Sequence, residues 1–522
     1  MTVQKIRRPD VRYPDLVQGN NLRWVGTPDK VYLPRDAAEV AACVRKLTGK
    51  GRHFTVRSGG HCYEDHVFNS SVRAVIDLGL LRQVEHDRET GCIALGAGQT
   101  LWDVYHGLHR RWGTTIPGGS CATVGAGGHI VGGGYGLLSR RDGLTVDHLH
   151  GVEVVTADGE IRLVTRDSTG TDLDLWWAHT GGGGGNFGIV TRYLMRSPDT
   201  GDHTPPHQLL PRAPRQVLLH DITIGWDQVG SDGADLAVML RRFSTWCEHN
   251  SAPDAAAANQ LFALFRVFPR LTSQSRAINL TTQIAIDDDT PESLEHARAT
   301  LKDFLGTVLT TCSAATHPRN LDRHPARPWL NATHELGQGT WDRRADYKSA
   351  YHRRLTDRHI ESLVTAFAEG GRGAEGARVS LDTYGGRVNS VARDATATPH
   401  RDSTIKIQYM TFWTDPAQDQ AHITWLRDAY TRIYNDTGGV PAAANSDPAG
   451  TATDGCFVNY LDADLPRHPT TAAASWWQLY YGDTNFTRLV RTKRAVDPDN
   501  TFHHAQSIPV TTPTTPSPPR RP

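Results

Sequence analysis

A chain of 522 residues exceeds what one hydrophobic core serves, so two or three domains are expected. Its 56 Lys and Arg balance 56 Asp and Glu, which leaves no basic field for DNA, RNA or an anionic membrane. A small-molecule substrate, taken up by a monomer or homodimer, is the expected partner.

In chain order, the N-terminal MTVQKIRRPDVRYPDL lacks the apolar run of a secretory signal, and no segment reaches roughly 18 consecutive apolar residues, so a cytoplasmic protein is expected. VYLPRDAAEVAACVRKLTGKGRHFTVRSGG predicts a strand, a helix capped by Asp36, and a β-rich segment. Val40, Cys43, Val44 and Leu47 recur at helical spacing within it. RAVIDLGLL and GCIALGAG read as short strands, TLWDVYHGLHRRW as an amphipathic helix, and GVEVVTADGEIRLVTR as a hairpin turning at Asp158-Gly159.

The Pro-rich SPDTGDHTPPHQLLPRAPRQ reads as a linker. Beyond it, LAVMLRRFSTWCEHN and SLEHARATLKDFLGTVL predict helices. VLLHDITIGW, QLFALFRVF, INLTTQIAI, VSLDTYGGRVN and TIKIQYMTFW predict strands. This is the signature of an antiparallel sheet covered on one face by helices, an α+β arrangement. The closing TTPTTPSPPRRP predicts a disordered tail.

Seven cysteines (Cys43, Cys62, Cys92, Cys121, Cys247, Cys312, Cys456) form no CxxC pair, and none of the 25 histidines sits in an HExxH spacing. Neither a disulfide framework nor a metal site is expected. The notable feature is glycine. RSGGHCYED, GGSCATVGAGGHIVGGGYG and HTGGGGGNFGIVT concentrate it at a folding cost of about 0.5–1 kcal/mol per interior position. Such runs let backbone N–H groups close on a pyrophosphate and a flat ring system. None is a strand-following G-x-G-x-x-G, so a nicotinamide site is disfavoured.

The motifs RSGGH (Arg57 to His61), GGSCATVGAGGH (Gly118 to His129), GGGYG (Gly132 to Gly136), GGGGGNFGIVT (from Gly181), FVNYLD (Phe457 to Asp462) and NTFHHAQSIP span nearly the whole chain. In that order they resemble the berberine-bridge-enzyme-like branch of the vanillyl-alcohol-oxidase flavoproteins, in particular bacterial members acting on sugars and antibiotics. The resemblance implies an FAD-binding domain over 1–203 completed by 448–509, an inserted α+β substrate domain over 204–447, and a tail over 510–522. It implies FAD on two covalent bonds, to the 8α carbon through His61 and to C6 through Cys121. A histidine offers a nucleophilic ring nitrogen, whereas a cysteine must reach its thiolate.

To the cofactor the resemblance further assigns Arg57, Ser58, Gly59, Gly60, Gly118, Gly119, Val124, Gly125, Gly128, Gly133, Gly185, Asn186, Val190 and Asn459, with Val124 at a place that controls oxygen access. His129 is assigned beside the ribityl chain and the N1–C2 carbonyl, supporting negative charge on reduced flavin. Tyr460 is the implied general base and Tyr384 a second tyrosine. Gln408, on the strand face of Lys406 and Met410, is expected to orient Tyr460. A phenol near pKa 10 needs a charged or hydrogen-bonding neighbour to serve as base. The implied reaction is oxidation of a sugar, lactol or secondary-metabolite hydroxyl with dioxygen reduced to peroxide. The glutamate of alkaloid-cyclising relatives is missing. A dehydrogenase or oxidative cyclase, or a silent flavin- or carbohydrate-binding protein, are the rival readings. Trp413, Trp476, Trp477, Tyr480 and Tyr481 are candidates for a substrate cleft or for core.

Overall fold

The computed structural model describes residues 3–201, 203–230, 232–309, 321, 324–338, 343–443, 451–468 and 476–512. The C-terminal tail from 513 and Cys312 lie outside them. Among the described residues three sheets organise the chain, which is α+β. In the first, Gln4–Ile6 runs antiparallel to Lys30–Leu33, which is followed in parallel by Ala74–Asp77 and Phe54–Arg57. The second is antiparallel, ordered Val84–Asp87, Cys92–Gly96, Ile189–Met195, Leu149–Val155, Ile161–Thr165.

Local signals place the helices of this part. Asp36 accepts from the Glu39 N–H and starts Ala37–Thr48, whose Val40, Cys43, Val44 and Leu47 are buried. Thr100 and Asp103 cap Leu101–Trp112 reciprocally, and Gly113 ends it with φ +68°. The hairpin turns at Gly159, φ +79°.

The third sheet has seven antiparallel strands in the order Arg327–Pro328, Gln216–Gly225, Arg276–Ile286, Leu261–Val267, Arg378–Thr383, Ile405–Trp413, Arg344–His352. Helices Ala234–His249, Pro291–Val308, Asp357–Glu369 and Asp419–Ile433 pack with it. Alternation along Ile405–Trp413 separates its two faces. Ile405, Ile407 and Tyr409 are buried, and the Tyr409 hydroxyl meets that of Tyr434 beside the helix Asp419–Ile433. Gln408 and Met410 instead face the glycine-rich part of the chain across a cavity.

The edge strand Arg344–His352 and the helices Asp357–Glu369 and Asp419–Ile433 were not predicted. The strand's sequence, RADYKSAYH, shows no apolar alternation because its polar residues are buried with partners. Asp346 pairs with Arg23, Lys348 with Asp462 and Asp464, and His352 with Tyr434.

Candidate active site

The cavity, about 510 Å³, runs between the glycine loops and the face of the seven-stranded sheet that carries Gln408 and Met410. The loops are glycine-rich partly because their backbones touch. A Cβ on Gly59 would lie 2.2 Å from the Gly125 nitrogen, and one on Gly125 would meet the Ser58 hydroxyl at 2.4 Å. The His61 loop is thereby clasped to the Cys121 loop. Arg57 is held by Asp77 at 2.6 Å, and Ser58 donates to the Ala97 carbonyl at 2.7 Å.

His61 and Cys121 both line this cavity and share a neighbour: the Thr123 hydroxyl is 3.0 Å from His61 Nε2 and 3.6 Å from the Cys121 Sγ. Burial, with the Arg57 charge nearby, pushes the imidazole pKa down to about 4, so the ring is neutral and nucleophilic at neutral pH. Burial pushes the adjacent Cys62 thiol up to about 12, which leaves it protonated and unreactive.

Of the other expected cofactor residues, Arg57, Ser58, Gly59, Gly60, Gly119, Val124, Gly125, Gly128, Gly185, Asn186, Val190 and Asn459 line the cavity. Gly118 and Gly133 do not. Gly118 packs behind the wall, where a Cβ would lie 2.7 Å from the Tyr105 hydroxyl, and Gly133 (φ +110°) turns the chain after the helix Ala126–Val131. His129 lines the cavity, and its Nε2 accepts from the Gly119 N–H at 3.1 Å. Burial lowers its pKa to about 4, so it stays neutral and props up the Gly119 backbone.

The C-terminal segment is tied to this wall. Asn459 Nδ2 donates to the His129 carbonyl at 3.0 Å, and Asn186 Oδ1 accepts from the Ile508 N–H at 2.8 Å. The fully buried Lys493 joins the Asp497 carboxylate to the Asn186 and Phe502 carbonyls, each at 2.6 Å.

Tyr460 lines the cavity with its hydroxyl 3.4 Å from Lys406 Nζ. Lys406 is fully buried, paired with Asp382 at 2.9 Å, and lies over the Tyr460 and Tyr135 rings at 4.6 and 4.7 Å. The strand register sets Lys406 directly opposite Asp382. Burial raises the Tyr460 phenol, and the Lys406 cation opposes that rise; Asp382 and Tyr460 together raise the Lys406 ammonium.

Two expected residues sit apart from the Tyr460 hydroxyl. Gln408 bonds Tyr63 rather than Tyr460 directly. Its amide donates to the Tyr63 hydroxyl at 2.8 Å, and the Tyr63 ring stacks on Tyr347 at 3.6 Å and on Tyr460 at 5.3 Å. Tyr384 does not line the cavity. It lies just past the end of the strand Arg378–Thr383 and is wholly buried, its hydroxyl donating to the His400 carbonyl at 3.0 Å behind Tyr135.

Of the candidate cleft aromatics, Tyr481 alone among the described residues lines the cavity. Trp477 stacks on Phe486, Tyr480 accepts from the Asp462 N–H, and Trp413, stacked on His422, lines a second cavity. Sequence reasoning gave no role to Thr123, Tyr63, Tyr135, Asp382 or Lys406. A signal existed for Lys406: a lysine inside an otherwise apolar strand, two residues from Gln408, points to a buried partner.

A histidine and a cysteine at one wall, a lysine-supported tyrosine at the other, and a cleft of interlocked glycine backbones define an FAD-linked oxidoreductase. Comparison agrees: residues 28–165 match the FAD binding domain family, and residues 456–509 match the family described as berberine and berberine like. The chain is 40% identical to the aclacinomycin-N/aclacinomycin-A oxidase of Streptomyces galilaeus, covering 97% of this chain and 89% of that one. It is 33% identical to the hexose oxidase of Chondrus crispus, covering 96% and 94%. The crystal structure of a glycopeptide hexose oxidase complexed with teicoplanin superposes with a TM-score of 0.85 at 36% identity, over 97% of this chain and 99% of that one. This chain belongs to the berberine-bridge-enzyme-like family of FAD oxidases. Among the described residues no helix is long and apolar enough to cross a membrane.

Proposed function

We propose that the chain carries FAD covalently on both His61 and Cys121 and oxidises a hydroxyl of a sugar, lactol or secondary metabolite, with Tyr460 as general base. Bound at this site, FAD would supply the hydride acceptor for the carbinol and the route by which dioxygen is reduced to hydrogen peroxide. The relatives' names support the substrate class, since they act on aclacinomycins and on hexoses.

The observation that carries the reading is Tyr460, backed by the buried Lys406, opening on the same cavity as His61 and Cys121. A phenol is a poor base unless its anion is stabilised, and a buried ammonium 3.4 Å away does so in a site where water screens little. Tyr460 takes the substrate hydroxyl proton, and Lys406, itself held by Asp382, stabilises the phenolate that must exist beforehand. Tyr63, fixed by Gln408 and stacked beside Tyr460, closes the flank of the base.

We further infer that 1–203 and 448–509 form the FAD domain and 204–447 the substrate domain. The two family matches, at 28–165 and 456–509, flank the seven-stranded sheet and support this division.

The test pairs peroxide release from hexoses with flavin fluorescence of acid-denatured protein. Wild type should retain its flavin through denaturation, and His61→Ala and Cys121→Ala should each keep it by the remaining bond. Tyr460→Phe should keep the flavin and lose about a hundredfold in kcat, the scale of a lost general base. Free FAD from denatured wild type sinks the attachment; undiminished turnover by Tyr460→Phe sinks the base.

A further inference from the structure

The sheet face that meets the substrate carries more positive charge than proton removal needs. Arg266 and Arg378 line the main cavity. Arg378 also lines a second cavity, about 550 Å³, together with Arg276, Arg343, Phe268 and Phe412. The two spaces therefore adjoin at one side chain. Arg276 lies over the Phe268 ring at 3.8 Å, while Arg378 and Arg343 lie over Phe412 at 5.0 and 5.7 Å.

Among the described residues Arg276, Arg343 and Arg378 make no ion pair with a carboxylate, whereas Arg266 lies in the field of Asp382 and Asp221. Arg266 donates to the Asn279 and Thr281 side chains at 2.9 Å, and Arg378 Nε points at the Met410 sulfur at 3.2 Å. Glu375, which also lines the second cavity, accepts instead from the Gly373 N–H. Burial and repulsion from Arg266, Arg343 and Arg276 push Arg378 down to about 10. Arg276 at the exposed rim and the half-buried Arg343 and Arg378 border one cavity with no ion-paired carboxylate among the described residues, and a guanidinium fork meets a planar oxyanion on two hydrogen bonds. Rings already covered by guanidiniums favour a flat, polarisable ligand beside that anion.

We propose that the second cavity is a subsite for an aromatic carboxylate or phenolate, the anionic flat portion of a substrate whose hydroxyl lies farther in at Tyr460. The proposal rests on the oxidase reading for the direction in which the substrate enters. It adds a substrate class: an anionic aromatic body carrying the oxidisable group, in preference to a neutral one.

The test uses an isosteric pair on the holoenzyme, 9-anthracenecarboxylate and the neutral 9-anthracenecarboxamide, neither of which carries an oxidisable carbinol, followed by their own fluorescence. At low salt the carboxylate should bind at least about tenfold more tightly, as one charge-assisted contact implies, with the gap closing as salt is raised. Arg276→Gln and Arg343→Gln should each weaken the carboxylate about tenfold while leaving the neutral amide's affinity in place. Equal binding of the two probes overturns the subsite, as does carboxylate binding that neither variant changes. Because the readout is binding, it is independent of turnover. A protein that binds the carboxylate through these arginines but releases no peroxide from any alcohol would refute the oxidase reading and leave the subsite standing.

Discussion

His61 Nε2 and the Thr123 hydroxyl are 3.0 Å apart, and that hydroxyl is also within 3.6 Å of the Cys121 sulfur. One small polar side chain therefore contacts both residues proposed to hold the flavin. A hydroxyl can donate or accept, so it can fix the imidazole's orientation and tautomer, and it can solvate a forming thiolate. Thr123→Val keeps the shape and removes that capacity. The expected result is slower and incomplete attachment at both positions, read as a mixture of singly and doubly linked flavin by mass spectrometry of digested peptides. Complete double attachment at the wild-type rate would show that the threonine only packs.

Lys406→Met tests the base through its charge. The Lys406 cation is what opposes the upward push of burial on the Tyr460 phenol. Its removal raises the phenol pKa, so the limb on which activity appears with increasing pH must move to higher pH. At pH 7 kcat should fall on the order of a hundredfold, and the loss should shrink as the pH rises. Lys406→Arg, which keeps the charge, should retain more activity. An equal loss at every pH would assign Lys406 a packing role.

The sequence was informative wherever the determining interaction is local. Asp36 announces its helix because a cap reaches three residues along the chain. The Asp158-Gly159 turn is legible because its φ requirement is intrinsic to glycine. Partners remote in sequence were not legible. The strand Arg344–His352 hid because Lys348 finds its acids at Asp462 and Asp464, more than a hundred residues away. In the site, the glycine motifs marked one wall of the cavity, but the sheet register decides what faces it. Register sets Lys406 opposite Asp382, while Tyr384 falls past the strand end and turns into the core. A motif can name a tyrosine; only the fold says which tyrosine meets the cavity.

The C-terminal segment should depend on Lys493. That ammonium is fully buried and satisfies Asp497 together with the Asn186 and Phe502 carbonyls, so it joins the helix Trp476–Val496 to a glycine loop of the cavity. Lys493→Met leaves the Asp497 carboxylate without its cation and two carbonyls without a donor. Removing one partner of a buried pair costs about 3–5 kcal/mol. Denaturant unfolding of the variant should show a loss of that size, with the cavity wall loosened before the seven-stranded sheet. A loss below about 1 kcal/mol, the scale of an exposed pair, would contradict the assigned role.

Acid should unfold the protein earlier than its carboxylates alone would dictate. His179 is buried, with Nδ1 2.8 Å from the Leu175 carbonyl, and burial lowers its pKa from 6.5 to about 4. The folded state thus holds the neutral ring while the unfolded chain takes up a proton below 6.5. The sign follows: this contribution is complete above pH 6.5 and is lost as the pH falls from there towards 4, where the difference amounts to about 3 kcal/mol. His129, lowered to about 4 by burial, acts in the same direction. Stability measured by denaturant unfolding should therefore begin to decline near pH 6.5, above the range in which ordinary carboxylates titrate. His179→Gln removes the titrating group, so its decline between pH 6.5 and 4 should be shallower than that of wild type. Parallel curves for the two proteins over that window would show that His179 is not held neutral by the fold.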